Sequence, residues 1–112
     1  MPKKVDNVGT IRYYDMDGRL HRKNGPAVEY KNGTIEYYLH GKLHRIGAPA
    51  RIFANGDEVW AQNGLYHRED GPAITHYQTK IIYYFYEGTK VHVSNLTEFK
   101  IWVFKKKNPA FK

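Results

Sequence analysis

One phrase recurs three times at a period of 23 residues: Leu20-His21-Arg22, Leu43-His44-Arg45 and Tyr66-His67-Arg68. Each is followed at a fixed distance by a Pro-Ala pair, Pro26-Ala27, Pro49-Ala50 and Pro72-Ala73. A sequence that repeats at this spacing folds as stacked copies of one small unit, each burying its apolar face against its neighbours. Set in register from a shared glycine, the copies span 18–40, 41–63 and 64–87, the last being one residue longer. A half copy at 9–17 precedes them, because Gly9-Thr10-Ile11-Arg12-Tyr13-Tyr14 echoes Gly33-Thr34-Ile35-Glu36-Tyr37-Tyr38. A decayed copy follows at 88–93, and irregular end copies are what capping an array requires.

Within a copy the local chemistry is that of antiparallel strands. Asn32-Gly33 and Asn55-Gly56 predict two-residue type I′ hairpins, since both positions tolerate φ > 0. Such a loop at Asn32-Gly33 pairs Tyr30 with Ile35 and Val28 with Tyr37, setting these four on one face and Glu29, Glu36 and Tyr38 on the other. Phe53 and Trp60 take the places of Tyr30 and Tyr37 in the second copy, and Ile82 and Tyr84 those of Ile35 and Tyr37 in the third. Pro26, Pro49 and Pro72 stand at strand entrances, where the missing N–H costs least. The glycines at 18, 41, 64 and 88 mark turns between successive hairpins. The fold class expected is mainly β: an antiparallel β-meander of about three and a half repeats, a twisted sheet or half-barrel, closed by a short C-terminal helix.

This grammar of Asn-Gly turns, Glu-Tyr-Tyr or Trp strands and Gly-Lys-Leu-His-Arg resembles the variant class of MORN-type repeats. More closely, it is similar to viral and bacterial proteins carrying Leu-His-Arg-x-x-Gly-Pro-Ala. The resemblance covers roughly residues 9–93 and implies an interaction scaffold. The chain departs from the pattern at Ala48, at Tyr66, and at Gly88, which no Leu-His-Arg follows. The lipid role proposed for such arrays lacks the shared basic face it would need.

The repeat grammar ends near Val93. Asn95 with Glu98 three residues on fits a capping box, and Leu96, Phe99, Trp102 and Val103 then lie on one helical stripe. A strand is the competing reading, with Phe99, Ile101 and Val103 alternating against Lys100 and Trp102. The expectation is a capping helix over 94–104, covering an open face or edge, with Asn108-Pro109 beyond it and a basic tail over 105–112.

The 112 residues carry a net charge of +7, yet the excess is local. From residue 88 onward, Lys90, Lys100, Lys105, Lys106, Lys107 and Lys112 stand against Glu98 alone, while the repeats are nearly neutral. Cysteine is absent, so disulfides and thiolate catalysis are excluded. No apolar run approaches the ~20 residues needed to span a bilayer, and the N-terminus lacks a signal-peptide hydrophobic region. A cytoplasmic protein with no membrane association is expected, in the host cell cytoplasm if viral.

Candidate functional residues fall into three groups. His21, His44 and His67 invite a metal reading, but neighbouring copies lie two or three strands apart, roughly 10–14 Å at about 4.8 Å per strand. Zinc ligands must converge within about 2.1 Å of one centre, so the structural reading is preferred: each imidazole bonds a backbone group and fixes the turn before Pro-Ala. Arg22, Arg45 and Arg68 either pair internally, with acids such as Glu36, Asp57, Glu69 or Asp70 or with turn carbonyls, or face a partner's phosphates or carboxylates. The variable outward aromatics Tyr38, Tyr83 and Trp60 are candidates for protein contact. Trp102 with Lys105, Lys106, Lys107 and Lys112 would serve the alternative of nucleic-acid association. A single serine, Ser94, and the absence of phosphate-loop or metal-helix motifs argue against an enzyme and give no cofactor. The reading is a protein-binding module, a small viral accessory protein engaging a host factor, as a monomer or an edge-strand dimer.

Overall fold

Alternation of apolar and polar residues between glycine-marked turns yields, in the computed structural model, which describes residues 2–111, a nine-stranded antiparallel sheet that does not close. The strands are β1 (Lys3–Val5), β2 (Ile11–Tyr13), β3 (Val28–Glu29), β4 (Ile35–Glu36), β5 (Tyr38–Leu39), β6 (Lys42–Leu43), β7 (Arg51–Ile52), β8 (Glu58–Val59), β9 (Ala61–Gln62), β10 (Leu65–Tyr66), β11 (Ile74–Thr75), β12 (Ile82–Tyr86) and β13 (Thr89–Val91). The main sheet runs β1-β2-β3-β4-β7-β8-β11-β12-β13; β5–β6 and β9–β10 are side hairpins that leave it and return. The molecule is elongated, about 52 × 33 × 18 Å.

The register differs from that expected of a type I′ turn at Asn-Gly. Tyr30 N–H donates to Thr34 O at 2.9 Å and Gly33 N–H to Tyr30 O at 3.0 Å, enclosing the three residues 31–33. Only Gly33 is left-handed (φ 97°), and Asn32 Oδ1 instead accepts the Thr34 N–H at 2.9 Å. Phe53, Asn55, Gly56 (φ 96°) and Asp57 repeat this arrangement. A three-residue loop with one αL glycine shifts the pairing by one residue, to Glu29↔Ile35 and Val28↔Glu36. The expected grouping therefore splits. Val28 joins Glu36, Arg51 and Val59 on the covered face, whereas Ile35 joins Ile11, Glu29, Ile52, Glu58, Thr75 and Ile82 on the open one.

The true type I′ turns lie between copies. His40-Gly41, Asn63-Gly64 and Glu87-Gly88 all have positive φ at both positions and join Leu39 to Lys42, Gln62 to Leu65 and Tyr86 to Thr89. Only the glycine is constant among them; Asn63-Gly64 carries the Asn-Gly signal, whereas His40 and Glu87 carry none.

Helix α1 (Leu96–Lys107) confirms the capped-helix expectation over the strand alternative. Asn95 Oδ1 accepts the Glu98 N–H at 2.9 Å, and the Glu98 carboxylate reaches back to the Ser94 N–H, also 2.9 Å. The helix outruns the expected end at 104, so Lys105, Lys106 and Lys107 form its last turn, where they face its negative dipole end. Asn108 N–H closes it on Phe104 O, and a 3₁₀ turn, Pro109–Phe111, follows.

Why the helix sits where it does follows from the repeat. Tyr13, Tyr37 and Trp60 are each covered by the arginine of the next Leu/Tyr-His-Arg, at 3.8–3.9 Å from ring centroid to guanidinium carbon. Tyr84 is the corresponding ring of the last copy, and no such arginine follows it. Phe99 covers Tyr84 instead, with centroids 4.6 Å apart, and is itself fully buried. Val91 occupies the place of the motif histidine and packs with Tyr84, Phe99 and Val103. The helix thus stands in for the missing copy and shields the last hairpin. Of the expected stripe, Phe99 and Val103 are buried and Trp102 packs against Tyr86, but Leu96 stays exposed.

Candidate functional site

The constant residues of the repeat build a joint between copies. His21 Nδ1 accepts the His40 N–H at 2.9 Å, His44 Nδ1 the Asn63 N–H at 3.0 Å, and His67 Nδ1 the Glu87 N–H at 2.9 Å. In each case the following glycine N–H donates to the residue before the histidine: Gly41 to Leu20 O, Gly64 to Leu43 O, Gly88 to Tyr66 O. The histidine is therefore a backbone-bonding residue as expected, but it clamps the type I′ turn of the next hairpin rather than the turn before Pro-Ala. A neutral ring that accepts at Nδ1 carries its proton on Nε2.

Each arginine stacks on an aromatic ring and donates Nη1–H to the proline carbonyl four residues on, Pro26, Pro49 or Pro72, at 3.2 Å. Arg22 adds an ion pair with Glu29 (3.0 Å) and Arg68 one with Asp70 (2.9 Å). The Arg68 guanidinium holds the Asp70 carboxyl below its ordinary value against a smaller opposing effect of burial. The alanine after each proline is fully buried and bonded on both sides into the ladder. A Cβ on Gly71 would stand 2.9 Å from Arg68 Cζ and one on Gly25 3.2 Å from Arg22 Cζ, which accounts for Gly-Pro-Ala. The second copy carries Ala48 there and places a left-handed Gly47 (φ 83°) one residue earlier, so its loop takes another path.

The motif histidines do not converge. The one cluster with metal-ligating spacing among the described residues is Asp15, His21 and His40, whose donor atoms lie within 4.8 Å of one another. Most of its donor atoms are already engaged within the chain. His21 Nδ1 holds the His40 N–H, and burial with the neighbouring His40 pushes its pKa down, keeping the ring neutral. Asp15 Oδ2 takes His40 Nδ1 at 2.8 Å and Arg19 Nε at 2.9 Å. Burial opposes ionisation of Asp15, but the bonds from His40, Arg19 and two backbone N–H groups outweigh it and hold the carboxyl far below its usual range. This corner ties the first turn to the end of the first copy.

The aromatics expected to face a partner are all half-buried and engaged within the chain. Tyr38 Oη donates to Glu36 Oε1 and accepts from Arg51, both at 3.3 Å, in a network with Tyr30 and the Arg51–Glu36 pair. Tyr83 lies beneath Lys90 Nζ, 4.4 Å from its ring centroid. Trp60 lies beneath Arg68, and its buried Nε1–H has no acceptor among the described residues. In the helix, Lys107 Nζ pairs with Glu69 at 2.7 Å and Lys106 Nζ stands 5.7 Å from the Trp102 ring centroid; Lys105 is exposed, and Lys112 lies outside the described residues.

What sequence reasoning missed is the open face. Ile11, Glu29, Ile35, Ile52, Glu58, Thr75 and Ile82 form a row across seven strands in which no member is fully buried. The arginine-capped rings of Tyr13, Tyr37 and Trp60 border this row, each two residues from a member in sequence. The one-residue register shift hid it. No protein-family model, curated protein or solved structure compared with the chain matches it. No helix among the described residues is long and apolar enough to cross a membrane.

Proposed function

We propose that the chain is a non-enzymatic protein-binding module whose contact surface is the open face of the sheet. The observation that carries this reading is the half-exposed row from Ile11 to Ile82, with Ile35 and Ile52 paired at its centre and Glu29 and Glu58 beside them. An apolar centre with polar flanks on a rigid, hydrogen-bonded platform is the anatomy of a protein interface. The resemblance of the repeat phrase to viral and bacterial proteins supports reading the module as a small viral accessory protein that binds and modulates a host protein. Nucleic-acid association through the last helical turn is less supported, since Lys107 and Lys106 are engaged within the chain.

The test is affinity capture at physiological salt with a nuclease-treated control, comparing the native chain with a folded Ile35→Lys variant. A protein retained through nuclease treatment and lost with Ile35→Lys supports the reading. Retention indifferent to Ile35→Lys, or capture abolished by nuclease, overturns it.

A further inference from the structure

Two clefts of this molecule are one site repeated, and only one of them is self-satisfied. The smaller, about 200 Å³, is bordered by Trp60, Gln62, His67, Arg68, Glu69 and Asp70. The larger, about 440 Å³, is bordered by Tyr37, Leu39, His44, Arg45 and Ile46, the same positions one repeat earlier, together with Arg22 and Lys23 of the first copy. In the smaller cleft the loop's own acids meet the motif: Glu69 Oε2 lies 3.3 Å from His67 Nε2, and Asp70 Oδ1 takes Arg68 Nε at 2.9 Å. The second copy has Ile46 and Gly47 in their places, so both acids are gone while both donors remain. Nor does Ile52 supply the carboxylate that Glu29 brings to Arg22 at the equivalent position of the first copy.

His44 Nδ1 is taken by Asn63, which directs its Nε2–H elsewhere. Arg45 uses Nη1 on Pro49 O and its π face on Tyr37, and has no carboxylate partner among the described residues. Lys23 is exposed, and no carboxylate lines this cleft. We propose that the Arg45–His44 cleft binds a carboxylate side chain of a partner protein, taking in trans the place that Glu69 and Asp70 fill in cis one repeat later. The stacked guanidinium is preorganised for a planar oxyanion, and the first and third copies show that a carboxylate satisfies it. Tyr37 follows Ile35 on the same side of the chain, so the cleft borders the open face; the source of the carboxylate rests on the protein-binding reading.

The probe is tetraglutamate, followed through the arginine Nε–H and histidine ring resonances of the full chain. Saturable shifts at Arg45 and His44, with Arg68 unmoved, are expected. Arg45 also supports its own loop, so the decisive variant is Ile46→Glu, at a 73% exposed position. It puts a carboxylate at the position that Glu69 holds in the third copy and should weaken tetraglutamate binding at least tenfold. Met16→Glu, the same charge change at a 93% exposed remote position, should change it less than threefold. Unsaturable shifts at every cation, or equal weakening by Ile46→Glu and Met16→Glu, overturn the site. Inorganic phosphate saturating Arg45 at a tenfold lower concentration than tetraglutamate overturns the carboxylate assignment. These results leave the Ile35→Lys capture experiment independent, so the cleft and the module can fail separately.

Discussion

Replacing His67 separates the histidine's role as a backbone acceptor from its role as a packed ring. Its Nδ1 accepts the Glu87 N–H at 2.9 Å, and its ring meets Tyr86 edge-on with centroids 4.9 Å apart, at 6% exposure. His67→Ala removes both. The Glu87 amide lies in an exposed turn that water reaches in part, so its loss belongs at the low end of the usual range, about 1 kcal/mol. The lost aromatic pair adds roughly 0.5–1.5 kcal/mol, for a total near 2 kcal/mol. His67→Asn keeps an acceptor at the Nδ1 position and loses the ring with its Nε2 contact to Glu69, which His67→Ala loses equally. Urea unfolding should therefore rank native, Asn, Ala, with about 1 kcal/mol between the variants, or roughly 4 °C in melting temperature. Amide exchange at Glu87 should accelerate in His67→Ala and stay slow in His67→Asn. Equal stability of the two variants, or an unchanged Glu87 exchange rate in His67→Ala, would refute the clamp.

Three further outcomes follow from the same geometry. His21 has a folded pKa below its ordinary 6.5, so the unfolded chain binds the extra proton; stability is complete above pH 6.5 and declines as pH falls through that value toward the folded one. His21→Asn should flatten the stability slope between pH 7 and 5, measured by urea titration at each pH. Gly71→Ala drives a Cβ against Arg68 and should lift the guanidinium from Trp60, costing about 0.5–1 kcal/mol and changing the indole fluorescence, whereas Ala48→Gly should leave that fluorescence unchanged. Glu36→Gln leaves Arg51 without its carboxylate beneath the tyrosines and should cost on the order of 3 kcal/mol in thermal unfolding, while the double replacement Glu36→Leu with Arg51→Met should recover most of it.

The period, the meander and the C-terminal helix were legible because each rests on local chemistry: repeated turns, alternating strands, an Asn95–Glu98 box. The register was not. Asn-Gly serves both a two-residue type I′ loop and a three-residue loop with one αL glycine, and the two differ by one step in every pairing. What selects the longer loop is tertiary. Thr34 Oγ1 accepts the Ala54 N–H at 3.0 Å, and Asp57 Oδ1 the Tyr77 N–H at 2.8 Å, so the residue after each glycine reaches into the next copy. Three different residues precede glycine in the real type I′ turns, His40, Asn63 and Glu87, and two of them are not turn formers by composition. Which face is covered was not legible either: Tyr38 shares a face with Glu36 as expected, and on that face its hydroxyl closes the Glu36–Arg51 network.

Repetition itself explains where function can reside. The bonds that cross a copy boundary, Gly41 to Leu20, Gly64 to Leu43 and Gly88 to Tyr66, with the arginine stacks on Tyr37 and Trp60, join each copy to its nearest neighbour, and each joint needs its own histidine, arginine and proline. Those residues cannot vary without loosening a joint, and so cannot be adapted to a partner. Freedom lies at positions where a joint is already satisfied without them. Glu69 and Asp70 are such positions: the third-copy clamp holds through the Nδ1 and Nη1 bonds, and the second copy makes the same two bonds with Ile46 and Gly47 in their stead. Loss of the acids there costs the scaffold little, because exposed ion pairs contribute about 0–1 kcal/mol, yet it frees a guanidinium and an imidazole N–H side by side. A surface of this kind acquires a binding site by deleting an internal partner from one copy, with the neighbouring copies keeping the frame rigid.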